Sequence, residues 1–197
     1  MDYTKAKAFI VKKLNLELPS NLYYHGFHHT VDVLNATKLI IEFENIKGDD
    51  VELLKTAALF HDCGFLKGPE EHEKSGCELA AEYLPQFDYS QEQVQLIQGM
   101  IMATKVPQQP QNHLEEIICD ADLDYLGRDD FEFIAASLFR ELKESGILKT
   151  EEDWNRIQLK FLSSHRYFTT YAKRLREPGK LKHLEEIKNI VKSYDEN

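Results

Sequence analysis

Apolar residues recur at three- and four-residue spacing along almost the whole chain and nowhere alternate in twos, so the pattern predicts helices and no sheet. A first helix spans 4–18, with Phe9, Ile10, Leu14 and Leu16 set among lysines and Pro19 closing it. A second, over 28–45, places His29, Val33, Ala36, Ile40 and Phe43 on one stripe. A third begins near Asp49; Val51, Leu54, Ala58 and His61 form its buried face and Gly64 is its stop. Further helices are expected over 70–84, from the capping pattern Ser90…Gln93 to about 104, and over 114–126, 130–145, 151–175 and 181–194. The aromatic stretch 20–27, Gly68-Pro69, the segment 106–112 and Glu177-Pro178-Gly179 read as loops. The expected fold class is all-α.

At 197 residues and 42% hydrophobic, the chain suits one globular domain, 1–197. A formal net charge of -10 argues against a nucleic-acid polymer or an anionic membrane as partner, because both repel an acidic surface. Cys63, Cys77 and Cys119 are an odd set without a CxxC pair, which fits reduced thiols filling space in a core. No leader-like or membrane-spanning run is visible, so a soluble, cytoplasmic protein is expected.

Against this background a few polar residues stand in costly positions. His29 opens one helix, His61 and Asp62 end the next, and Cys119-Asp-Ala-Asp-Leu-Asp124 supplies aspartates on a third. The apolar stripe there is Leu114, Ile117, Ile118, Ala121 and Tyr125, which selects Asp122 at its edge; Asp120 is the fallback, and Asp120 and Asp124 align with Glu116 on the wet side. A single inward histidine is ordinarily a hydrogen-bonded core residue. Four inward imidazoles and carboxylates from three helices instead call for a cation to offset their burial. A mixed nitrogen and oxygen set suits one divalent ion such as Mn, Fe, Mg, Co or Zn, with open water positions, better than a thiolate-rich structural zinc site.

Three blocks, Tyr24-His-Gly-Phe-His-His-Thr-Val-Asp-Val33, Leu59-Phe-His-Asp-Cys-Gly64 and Cys119-Asp-Ala-Asp-Leu-Asp-Tyr-Leu-Gly127, together resemble the H…HD…D signature of the HD-domain superfamily of metal-dependent phosphohydrolases. The resemblance covers about 22–127 and leaves 128–197 as a helical extension. It implies a helical bundle in which His29, His61, Asp62 and Asp122 hold the metal, with hydrolysis of a small phosphate ester, foremost a nucleotide. The first block is also similar to the Tyr-His-Asn-x-x-His pattern of cyclic-nucleotide phosphodiesterases, with Gly26 where that pattern has asparagine. That similarity makes His25 a general acid; the other reading is a loop histidine bonded to backbone. Asp62 would orient the attacking water as well as ligate.

For substrate contacts the candidates are Lys67, His72, Lys105, Arg128, His165 and Arg166, each of which is otherwise a solvated or packing residue. His72 shares a face with Ser75, Gly76, Leu79 and Tyr83, where Gly76 permits close approach. The helix ending Ile101-Met-Ala-Thr-Lys105 has no histidine, so one metal is expected, not two. In the 151–175 helix, Phe161, Phe168, Ala172 and Leu175 are expected to pack inward, with His165, Arg166 and Thr169 beside a pocket and Trp154 in a packing role. The alternatives are a signalling or scaffold module that keeps the HD fold without turnover, and a di-iron oxygenase, which would need a second metal.

Overall fold

The computed structural model describes residues 1–196, and among them there are ten α-helices and no strand. The chain divides into two compact units, residues 1–123 and the residues from Asp124 onward. The first holds α1 (Tyr3–Glu17), α2 (Phe27–Phe43), α3 (Asp49–Phe60), α4 (His72–Tyr83), α5 (Gln91–Ala103) and α6 (His113–Asp122). The second holds α7 (Phe131–Glu144), α8 (Glu151–Ser164), α9 (Thr170–Leu175) and α10 (Glu177–Asp195). No described helix is long and apolar enough to cross a membrane.

The first unit is built around α3, which packs against α1, α2, α5 and α6. Its apolar residues Leu54, Ala57, Ala58, Leu59 and Phe60 are all at most 1% exposed. Ile10 and Leu14 of α1, Ile40 of α2, Ile97, Met100 and Ile101 of α5, and Ile117 and Ile118 of α6 complete that core. Each such side chain contributes about 1.5–3 kcal/mol by leaving water. A helix covered on so many sides must carry whatever follows Phe60 into the interior, which is where His61 and Asp62 lie. The helix starts follow capping chemistry: Asp2, Ser90 with Gln93, Asn112, Thr150 with Asp153, and Thr169 accept from the first free amides.

Several boundaries differ from the periodicity. The predicted 151–175 helix is two, because the hydroxyls of Ser163 and Ser164 bond to the carbonyls of Leu159 and Phe161, His165 turns extended, and Thr169 caps a new helix. Thr169 is thereby buried, Tyr167 and Tyr171 are buried beside it, and Leu175 is 48% exposed instead of packing inward. Trp154 packs as expected, stacked on Phe139 with ring centroids 5.9 Å apart. Pro178 and Gly179 do not form a loop; α10 starts at Glu177, and proline is tolerated in a first turn because its missing amide would have no partner there. On the second stripe, Phe43 at the end of α2 is 42% exposed. Before α4, Glu71 adopts left-handed backbone (φ 48°), which delays the helix from 70 to His72.

The 114–126 helix also stops early, at Asp122, and Asp124–Gly127 form a separate 3-10 turn. Helical phase therefore fails for Asp124, which is 2% exposed instead of wet. Asp120 is buried as well, since α6 touches α2, α3 and α5 and its later turns have no free side. In the second unit Asp124 accepts from Arg176 at 2.7 Å and lies 3.5 Å from Arg128. Burial pushes its pKa up, against the pull of Arg176. Asp124→Ala should cost about 3 kcal/mol by leaving the guanidinium of Arg176 without its partner, read as a lower midpoint in urea unfolding. Asp124→Asn, which still accepts a hydrogen bond, should lose less.

Cys63, Cys77 and Cys119 are free thiols. Burial raises the pKa of all three, that of Cys77 to about 11, so none has thiolate character at neutral pH.

Candidate metal centre

His29 sits in the first turn of α2, three residues past the N-cap Gly26, with its amide bonded to the Gly26 carbonyl. His61 and Asp62 follow the last residue of α3. The backbone leaves helical geometry at Asp62 (φ −104°, ψ 7°), so two sequence neighbours that a continuing helix would splay apart face the same point. Asp122 closes α6.

The donor atoms of these four residues converge. Nε2 of His29 is 3.1 Å from Oδ1 of Asp122 and 3.5 Å from Oδ2 of Asp62. Nε2 of His61 is 3.2 Å from Oδ2 of Asp62, 3.6 Å from Oδ1 of Asp122 and 3.3 Å from Nε2 of His29. Nδ1 of His61 donates to the Ala58 carbonyl at 2.9 Å, which leaves Nε2 aimed inward. Oδ2 of Asp62 is buried and accepts no hydrogen bond. Such an orphaned oxygen is costly without a cation. With metal bonds of about 2.0–2.2 Å, adjacent donors around one ion stand roughly 3.0–3.6 Å apart, which these separations match. His29, His61 and Asp122 thus form a group able to hold a metal ion, with the carboxylate of Asp62 against both imidazoles.

The electrostatics agree. Burial alone would neutralise His61, yet the carboxylates of Asp62 and Asp122 outweigh it and hold its pKa well above the usual imidazole range. Burial would likewise raise both aspartates, but His61 pulls Asp62 far below the carboxylate range, and the bonds from His29 and His61 bring Asp122 down to about 2. Both carboxylates are therefore anionic at neutral pH.

Exposure rises outward from His61 at 0% through Asp122 at 14% to His72 at 21%, so the rim lies toward His72. His72 opens α4, with Nε2 3.6 Å from Oδ1 of Asp62 and 3.5 Å from Oε1 of the buried Glu73. His25, half-buried, lies with its ring 6.1 Å from both His29 and His72. Gly26 stands in place of the asparagine because a Cβ there would come within 2.7 Å of the Leu22 carbonyl. Gly64, read from sequence as a helix stop, is instead a contact point, since its missing Cβ is what lets the backbone of α4 lie against the turn after Asp62. Gly76 has ordinary room.

Lys67 is exposed and paired with Glu78 at 3.0 Å, and Lys105 is exposed just past α5, where Thr104 is buried with its hydroxyl on the Ile101 carbonyl. Arg128, His165 and Arg166 belong to the second unit: Arg128 pairs with Asp130 at 2.8 Å and with Asp124, His165 packs against Phe161 and Tyr167, and Arg166 is exposed. Two rim residues, Phe65 and Glu73, were not singled out from sequence. Phe65 falls in the stretch read there as a loop, and nothing in the sequence pattern marked Glu73.

Residues 26–124 match the family model of the HD domain. The chain belongs to the HD domain family, an all-α family of metal-dependent phosphohydrolases, and the match spans all four converging ligands. No curated protein and no solved structure matches it.

Proposed function

We propose that this protein is a hydrolase of small phosphate esters, with nucleotides the first class to test, working with one divalent ion held by His29, His61, Asp62 and Asp122. The observation that carries this reading is the convergence of two imidazole nitrogens and two carboxylate oxygens, from three helices, at 3.1–3.6 Å. When bound, the ion supplies a water of lowered pKa and a Lewis acid for the phosphoryl oxygens. Asp62 and Asp122 offset the charge of that ion, and Oδ1 of Asp62, turned toward His72, orients a water by accepting its hydrogen bond. His25, at the less buried side, holds a proton for the leaving alkoxide, and His72 hydrogen-bonds the ester's oxygens. Lys105 is an exposed cation of this unit, whereas Lys67 would first have to leave Glu78 to meet a phosphate.

The test is a screen of purified, manganese-loaded protein against mono-, di-, tri- and cyclic nucleotides, beside a chelator-treated control. Release of phosphate or nucleoside by the loaded form alone is the expected result. Tight metal binding with no turnover of any nucleotide or chromogenic phosphate ester would move the assignment to a non-catalytic HD-fold module.

A further inference from the structure

Beside the proposed metal ligands three rings meet at Phe65. Phe65, in the 3-10 turn directly after His61-Asp62, has its ring 4.4 Å from that of His25 at an interplanar angle of 22°, and 4.3 Å from that of His72 at 31°. The phenyl group is only 5% exposed, while both imidazoles are half-buried. The two histidines come from distant segments, the loop before α2 and the first residue of α4, and their rings do not stack on each other, being 6.1 Å apart. What they share is Phe65. His25 also meets Tyr24 edge-on at 4.7 Å, and His72 is fastened by Nδ1 to the Pro69 carbonyl at 3.3 Å, so each imidazole has a second hold besides Phe65.

We infer that Phe65 is a positioning residue, whose ring, in contact with both His25 and His72, fixes the aim of the two imidazoles over the rim of the metal site. The phenyl group has no polar atom and carries no charge, so it acts through the rings it meets. An aromatic face sets orientation, whereas an aliphatic side chain of similar bulk sets only distance. Because proton delivery and oxygen contacts depend on sub-ångström aim, loosening these rings should lower turnover far more than binding. The inference deepens the phosphohydrolase reading and rests on it.

The test compares wild type, Phe65→Leu, Phe65→Tyr, His25→Ala and Phe65→Leu/His25→Ala, all loaded with manganese. Metal per chain should agree among the five within about twofold, because Phe65 meets Asp62 through its backbone amide, which the substitutions leave in place. With a substrate from the nucleotide screen, Phe65→Leu should lower kcat about 10- to 100-fold with KM nearly constant, and Phe65→Tyr should restore most of it. In the His25→Ala background the further loss from Phe65→Leu should shrink to a few-fold. Wild-type kcat in Phe65→Leu, equal losses in both backgrounds, or loss of metal would overturn the inference. If wild type turns over no ester, the phosphohydrolase reading falls first, and Phe65 is then judged by crystal structures of the variants. Imidazoles of His25 and His72 turned away in Phe65→Leu and back in place in Phe65→Tyr support the positioning role; unmoved rings in Phe65→Leu reject it.

Discussion

Replacing His61 by alanine is expected to strip the protein of its metal and of any turnover that depends on it. His61 has no exposed surface, and its Nε2 lies within 3.6 Å of a donor atom of each of the other three ligands. Its removal leaves Asp62 and Asp122 facing one cavity with one imidazole between them, a set too anionic and too open to hold an ion as before. Metal retained after gel filtration should fall from about one equivalent to a small fraction, and turnover by on the order of a thousandfold or more. Elemental analysis and a nucleotide assay read the two losses. His28→Ala, an exposed position in the same turn as His29, should change neither. A metal-replete, active His61→Ala protein would remove the basis of the proposed site.

The second large effect should follow from a single added methyl group. A Cβ on Gly64 would stand 1.8 Å from the His72 carbonyl oxygen, 2.6 Å from its carbon and 2.8 Å from the Gly76 nitrogen. All three are backbone atoms and cannot swing aside. Gly64→Ala must therefore displace the first turn of α4, at a cost of about 3 kcal/mol or more, and move His72 off the rim. Gly76→Ala is the matched control. Its Cβ would meet nothing nearer than 3.4 Å, and alanine is the better helix former, so stability should stay level or rise by up to about 1 kcal/mol. Thermal melts of the two variants distinguish a close backbone crossing at residue 64 from a general intolerance of side chains along this contact.

Much of this arrangement was legible in the residues alone, for reasons that also explain the failures. Three-and-four spacing placed every helix of the first unit and put His29, His61 and Asp122 on inner faces, because burial in a helical bundle is governed by that phase. Phase fails wherever the backbone stops being α-helical. Asp124 was assigned to the wet side two residues after α6 had ended, and the 151–175 stretch kept its apolar rhythm across the break that serine hydroxyls and the Thr169 cap impose. Asp120 failed differently, since it lies within the helix but on one surrounded by three neighbours. Contacts between distant segments were also invisible. Nothing local says that Phe65 meets His25, that Lys67 finds Glu78, or that Gly64 serves a crossing and not a helix end.

The hydrogen bond from His61 Nδ1 to the Ala58 carbonyl ties the end of the most buried helix to the ring proposed to grip the ion. Anything that occupies the folded pocket and ignores the unfolded chain adds its binding energy to the stability of the whole unit. Heat tolerance will therefore follow metal supply, and starvation for the ion will weaken the protein's structure along with its chemistry.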